Sequence, residues 1–173
     1  KSAAVQVFES TRGLKNGNDV EFEDKMLEAT LGPGLLSSSY DGLQNDLTTM
    51  TGVFLKRGEY TDPLNHEKLW DFTPIAKPGD KVVAADWLGE VKEGWLPHKI
   101  MVPFSFKGEY TVKSVAEAGQ YNIDKTIAVL TDASGEEIEV NMYQKWPVKV
   151  AIKGYKDKPR PSRIMETGVR AID

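Results

Sequence analysis

Between Lys77 and Ile123 the chain alternates short apolar runs with tight corners. The stretch KPGDKVVAADWLGEV turns at Gly79-Asp80 into an apolar run holding Val82 and Val83, turns again at Ala84-Ala85-Asp86, and resumes with Leu88 and Val91. KEGWLPHKIMVP and FSFKGEYTVKSVAEAGQYNI continue the pattern. Short strands with a turn every few residues predict an all-β barrel or sandwich. The second half echoes the first: Gly119 opens a turn before Tyr121 and Ile123, and Ile127 and Val129 stand as Leu88 and Val91 do. The expected architecture is mainly β, a small antiparallel barrel made of two similar halves closing on each other, with few short helices.

The flanks read differently. Ala3 to Phe8 has the look of a strand, and Val5 and Val7 alternate with polar neighbours before a break at Thr11-Arg12-Gly13. Asn16-Gly17 is a strong turn dipeptide, so two β segments are expected around it. Leu43, Leu47 and Met50 fall at i, i+4 and i+7, which predicts a short helix started by Asn45 or Asp46, ended by Gly52, and packed on the β body through Phe54 and Leu55. Residues 56–76 are loop-like, except that Trp70 and Phe72, two apart, project to one side of a strand and belong to the core. After Trp146 the chain turns basic, with Lys149, Lys153, Lys156, Lys158, Arg160 and Arg163 interleaved with Pro147, Pro159 and Pro161, the pattern of an extended connector. Thr167-Gly168 then offers a helix start, with Val169 and Ile172 opening an apolar face.

Composition narrows the functional classes. A chain of 173 residues is long enough to bury a true core, and no apolar run approaches the roughly 20 residues needed to span a bilayer as a helix. The absence of cysteine removes disulfides and thiolate metal sites. A net charge of −4 disfavours a sequence-independent grip on nucleic acid, which needs clustered basic surface.

Few residues offer chemistry. Gly32-Pro33-Gly34 invites a phosphate-loop reading but lacks the Gly-x-x-x-x-Gly-Lys-Ser/Thr spacing, so it reads as a tight turn. Ser37, Ser38 and Ser39 have no nucleophile context. His66 and His98 are far apart in sequence, which argues against a metal site and leaves His66 as a surface residue. Glu137 and Glu139 alternate with Ile138 and Val140 as a solvated strand face does, and Glu136 precedes them in the turn after Ser134-Gly135, so acid–base catalysis is not expected there. In Gly94-Trp95-Leu96-Pro97, two large apolar residues stand beside a turn: either Trp95 folds back onto its own barrel, or Trp95 and Leu96 are the candidate partner contact. No catalytic, cofactor-binding or metal-binding residue is expected.

The string LGPGLLSSSYDGLQ resembles the stretch of Gly-Pro-Gly-Leu, Tyr-Asp-Gly and Gln that stands ahead of the nucleotide domain in catalytic A subunits of V- and A-type rotary ATPases. TRGLKNGNDV resembles the end of that family's N-terminal β-barrel, HEKLWDFTP and PHKIMVP its inserted bulge, MYQKWPVK the strand returning from the insertion, and METGVRAID the lead-in to the P-loop. Asn45-Asp46 departs from the family, which shows Arg-Pro there. The resemblance implies a piece of a longer subunit: last barrel strands over residues 1–24, a connecting segment with the short helix over 25–60, the bulge β-domain over 61–145, and a return strand, basic linker and start of the nucleotide-binding domain over 146–173.

By the same resemblance the parent subunit binds ATP and Mg²⁺ at its interface with a B subunit and couples turnover to H⁺ or Na⁺ transport. This piece is expected to lack a cofactor of its own and to act structurally, touching peripheral-stalk (stator) subunits in the cytoplasmic head, without direct membrane insertion. The central pattern also resembles biotinyl and lipoyl carrier domains, a barrel-sandwich hybrid fold. That alternative, a stand-alone carrier or protein-binding β-module, places the modified lysine at a hairpin tip, with Lys99 as the nearest candidate.

Overall fold

The computed structural model describes residues 7, 10–22, 26–50, 60–153, 157, 160–163 and 166–168. Ten strands are assigned among them: β1 (Glu28–Leu31), β2 (Trp70–Pro74), β3 (Lys81–Val82), β4 (Trp87–Glu93), β5 (Leu96–Met101), β6 (Tyr110–Val115), β7 (Gly119–Tyr121), β8 (Ala128–Thr131), β9 (Glu137–Val140) and β10 (Gln144–Pro147). The helical element among the described residues is one 3₁₀ turn, Leu35–Ser37.

The corners read from the sequence form as side chains and glycine allow. Gly79 takes φ 93° while the Asp80 carboxylate accepts the Lys77 amide at 2.8 Å. At the second corner Ala85 takes φ 72°, and Asp86 accepts the Val83 amide at 2.9 Å. Each corner thus satisfies its own backbone donor and releases the chain into the next strand.

The strands form two four-stranded antiparallel sheets, ordered β5-β4-β2-β7 and β3-β6-β8-β9, and a two-stranded ribbon of β1 and β10. The expected mainly β, antiparallel, barrel-sandwich-like architecture is present, as open sheets rather than a closed barrel, and the two halves exchange strands. β3, from the first half, pairs with β6 of the second sheet, while β7, from the second half, pairs with β2 of the first. The inner faces supply one core: Phe72, Leu88, Val91 and Ile100 from one sheet, and Val112, Ala128, Leu130 and Val140 from the other, with Val102, Ile123 and Ile127 from connecting segments. Alternation decides who enters it, since Trp70 and Phe72 are buried while Asp71 between them is exposed. Gly89 is required at its place because a Cβ there would stand 2.3 Å from the Phe72 ring.

The ribbon fixes how the sandwich is attached. Glu28 pairs with Pro147 and Leu31 with Gln144, so the chain enters and leaves the sandwich side by side. The other edge of β1 is covered by a side chain: Gln44 accepts the Thr30 amide at 2.8 Å and donates to the Thr30 carbonyl at 2.7 Å, as a neighbouring strand would.

Two local expectations fail. Residues 43–50 form turns and an isolated Tyr40–Asp46 bridge rather than a helix: Asp46 opens one turn, its carboxylate accepting the Thr48 amide and its carbonyl the Thr49 amide, and the turn does not continue past β-branched Thr48 and Thr49. Around Asn16-Gly17 the turn is present, with Gly17 at φ 91°, but residues 10–22 are exposed and carry no strand. Of the expected strand at Ala3–Phe8 only Val7 is described, exposed and outside any strand; the rest of it, the helix end at Gly52, the packing of Phe54 and Leu55, and the helix face of Val169 and Ile172 lie outside the described residues.

Candidate partner-contact hairpin

The longest hairpin, β4–β5, turns in two residues at Gly94-Trp95, with Glu93 opposite Leu96. Gly94 at φ 60° in the first central position suits the tight connection. Trp95 therefore stands at the tip, 90% exposed, rather than folded back onto the sandwich. Leu96 is only half-buried and lines a groove of about 420 Å³ with Leu35, Leu36, Ile100, Phe104 and Met142. Leu36, beside it, is also largely exposed. Trp95 is thus an apolar projection, and its neighbour Leu96 lines the groove.

What holds this arrangement is a residue the sequence reading passed over. Glu93 is buried, and its Oε1 accepts the amides of Gly34 at 2.7 Å and Leu36 at 3.1 Å. Its Oε2 is 2.6 Å from His98 Nδ1 on the partner strand. The Gly32-Pro33-Gly34 loop does present backbone amides to an anion, but the anion is the protein's own carboxylate. Gly34 takes φ 112°, and a Cβ on Gly32 would meet Tyr143 Cβ at 2.7 Å, so both glycines serve the loop's seat against the sandwich. Ser38 bonds back to the Gly34 carbonyl at 3.4 Å and has no base beside it. A buried acid in an otherwise alternating strand was the available signal, and reading it needed the loop partners 57 and 59 positions away.

Lys99 is not at a hairpin tip. It lies in the middle of β5 opposite Glu90, forms an ion pair with that carboxylate, and its Nζ sits 4.8 Å from the Trp87 ring centroid. This corrects the carrier placement: the tip belongs to Gly94-Trp95, and Lys99 is engaged on both sides. Glu137 pairs with Lys113 and Glu139 accepts from half-buried Thr126, and Lys113 and both acids are exposed, as on a solvated face. Asn45, at the departure from the Arg-Pro pattern, is buried and structural: it donates to Asp41 at 2.8 Å and accepts the Thr61 amide at 2.9 Å.

His66 is more engaged than a free surface residue. Its Nδ1 lies 2.8 and 2.9 Å from the two Asp124 oxygens and its Nε2 3.1 Å from Asp62, with Tyr143 edge-on at 5.6 Å. The hydrogen bond to Asp124 raises its pKa from the ordinary 6.5, opposed by burial and aided by the charges of Asp62 and Asp124. Among the described residues no group of three acidic or histidine side chains has the arrangement of a metal site, and no helix is long and apolar enough to cross a membrane.

Two facing four-stranded antiparallel sheets, entered and left through one pair of strands, define a barrel-sandwich module. Residues 61–149 match the family model of the ATPsynthase alpha/beta subunit barrel-sandwich domain, and the chain belongs to that family. Its relatives are V-type ATP synthase alpha chains: that of Borrelia turicatae is 48% identical over 172 residues, and that of Borrelia garinii subsp. bavariensis 47% over 172, each match covering 98% of this chain. The alpha chain of Treponema denticola is 46% identical over 174 residues, covering 99%. This chain spans 30% of the length of each of these relatives.

Proposed function

We propose that the chain is the barrel-sandwich portion, with its flanking segments, of a V-type ATP synthase alpha chain, and that its own work is structural. The observation that carries this reading is 46–48% identity to such chains over 98–99% of its length. In this reading ATP and Mg²⁺ bind in another part of the subunit, at the interface with a B subunit, and their turnover is coupled to H⁺ or Na⁺ movement. The sandwich projects from the cytoplasmic head of the complex, peripheral to the membrane, and the hairpin tip meets a peripheral-stalk subunit. Support for the contact comes from Trp95, whose 90% exposure on a two-residue turn has no use in the sandwich's own packing.

The test is Trp95→Ser in the assembled complex, with stalk association measured by native mass spectrometry and ATP binding to this chain alone by calorimetry. Weakened stalk association, with an unchanged melting temperature and no micromolar ATP binding by the isolated chain, is the expected result. Unchanged association removes the stalk contact, and micromolar ATP binding overturns the structural role.

A further inference from the structure

The two histidines differ in what surrounds them. His98 presents one ring nitrogen to one carboxylate, a bond that either protonation state can donate. His66 presents both ring nitrogens to carboxylates, Nδ1 to Asp124 and Nε2 to Asp62. A neutral imidazole carries a single N–H, so in the neutral form one of these contacts sets a lone pair against a carboxylate. Only the imidazolium donates to both.

The two carboxylates belong to different parts of the fold. Asp62 lies in the loop before β2, and Asp124 in the turn between β7 and β8. The loop that holds Asp62 is bonded to the segment after the 3₁₀ turn: the Thr61 amide donates to Asn45 at 2.9 Å, the Asp46 amide to Thr61 at 2.7 Å, and the Tyr40 hydroxyl to the Pro63 carbonyl at 2.8 Å. That segment in turn grips β1 through Gln44. We propose that His66 is a proton-operated clamp that fastens this 40–46 and 60–64 network to the sandwich, tight when the ring is charged and loose when it is neutral.

The titratable groups that face the ring are Asp62 from its own loop, Asp124 from the β7–β8 turn, and Tyr143, edge-on from the segment before β10. Both charged neighbours are acids, so they act in the same direction, and the raised pKa agrees with the geometry. Because the folded value lies above the unfolded one, the clamp's contribution is complete below the unfolded pKa and is lost as pH rises through the folded value. Leu64, buried in the core, is an anchor that does not titrate, so the clamp loosens the network without releasing it.

The experiment follows the 173-residue chain by NMR from about pH 5.5 to about pH 8.5, a window centred near the ordinary histidine range. Histidine ring shifts report the His66 titration, and hydrogen exchange, corrected for its intrinsic pH dependence, reports the amides of Asp46, Thr61 and Leu64. Protection of these amides is expected to fall about two- to fivefold as His66 loses its proton, the range of a partly exposed ion pair. His66→Gln, uncharged at every pH, is expected to show the low protection throughout, with no step. Asp124→Asn removes one carboxylate and is expected to move the step to lower pH. Constant protection in the parent chain, a step that survives in His66→Gln, or a midpoint unmoved in Asp124→Asn each overturns the clamp; should His66→Gln fail to fold, the Asp124→Asn midpoint decides alone.

Discussion

Glu93 Oε1 lies 2.7 Å from the amide nitrogen of Gly34, 59 positions away in the chain, and the same oxygen accepts the Leu36 amide. One buried carboxylate therefore seats the loop that leads out of β1 against the longest hairpin of the sandwich. The arrangement ties the exposed tip at Trp95 to the point where the chain enters the module.

Removing that carboxylate leaves amide donors without acceptors. Glu93→Ala is expected to destabilise the chain by about 1–3 kcal/mol, read as a lower urea midpoint with an unchanged slope. Glu93→Gln keeps an oxygen for the Gly34 and Leu36 amides and is expected to cost less. Equal losses in the two variants would mean that charge, rather than acceptance of the two amides, holds the loop.

Gly89 and Gly42 separate packing from backbone entropy. A Cβ at Gly89 meets the Phe72 ring at 2.3 Å and the Thr73 carbonyl oxygen at 2.8 Å, whereas one at Gly42 has nothing within 4 Å. Gly89→Ala is expected to cost about 1–3 kcal/mol by overpacking, and Gly42→Ala to stay within about 0.5 kcal/mol of the parent. Thermal melts of both variants side by side check this.

Asp41 carries an acid-side signature. Its carboxyl is held below the ordinary 3.8, chiefly by the Asn45 side-chain amide, opposed by burial and aided further by the Asn45 and Leu43 backbone amides. With the folded value depressed, its contribution is present above the unfolded pKa and is lost as pH falls through the folded value. Asp41→Asn is expected to be less stable than the parent at neutral pH, with the gap narrowing in acid. A gap that holds constant or widens down to about pH 2, below the ordinary carboxylate range, contradicts this.

Lys99 is expected to stay unmodified. Its ammonium is paired with Glu90 and lies over Trp87 in mid-strand, and the hairpin tip that a carrier ligase would need is occupied by Gly94-Trp95. Intact mass after expression with biotin and lipoate ligases checks this: a cofactor's added mass on Lys99 would return the carrier reading to the front.

The strands and corners of the sandwich were legible in the sequence because their causes are local. Gly79 with Asp80, and Ala85 with Asp86, satisfy their own turns within three residues, and the two-residue period alone buries Trp70 and Phe72 on either side of exposed Asp71. The sequence placed Trp95 beside a turn but left open whether it folds back onto the sandwich; its 90% exposure was decided by the two-residue closure at Gly94-Trp95.

The rest was decided by partners far along the chain. The Leu43, Leu47 and Met50 spacing is genuine, yet Asp41 and Thr61 fold the approach to it into a loop, Thr61 lying 15 positions from its donor, and the turn that Asp46 opens goes no further than Thr49. Lys99 sits in mid-strand because the turn closes at Gly94-Trp95, ahead of the place the carrier pattern requires. Glu93 reads as one more strand acid until the Gly34 loop folds over it, and His66 as a surface residue until Asp124, 58 positions on, meets its second nitrogen. The exchange of β3 and β7 between sheets is likewise invisible in periodicity, which says which side of a strand is apolar but not which strand it pairs with. By itself the sequence determined the local hydrogen bonding and the inward face of each strand; the tertiary structure alone decided the pairing, because a backbone edge or a carboxylate accepts any donor the folded chain brings to it.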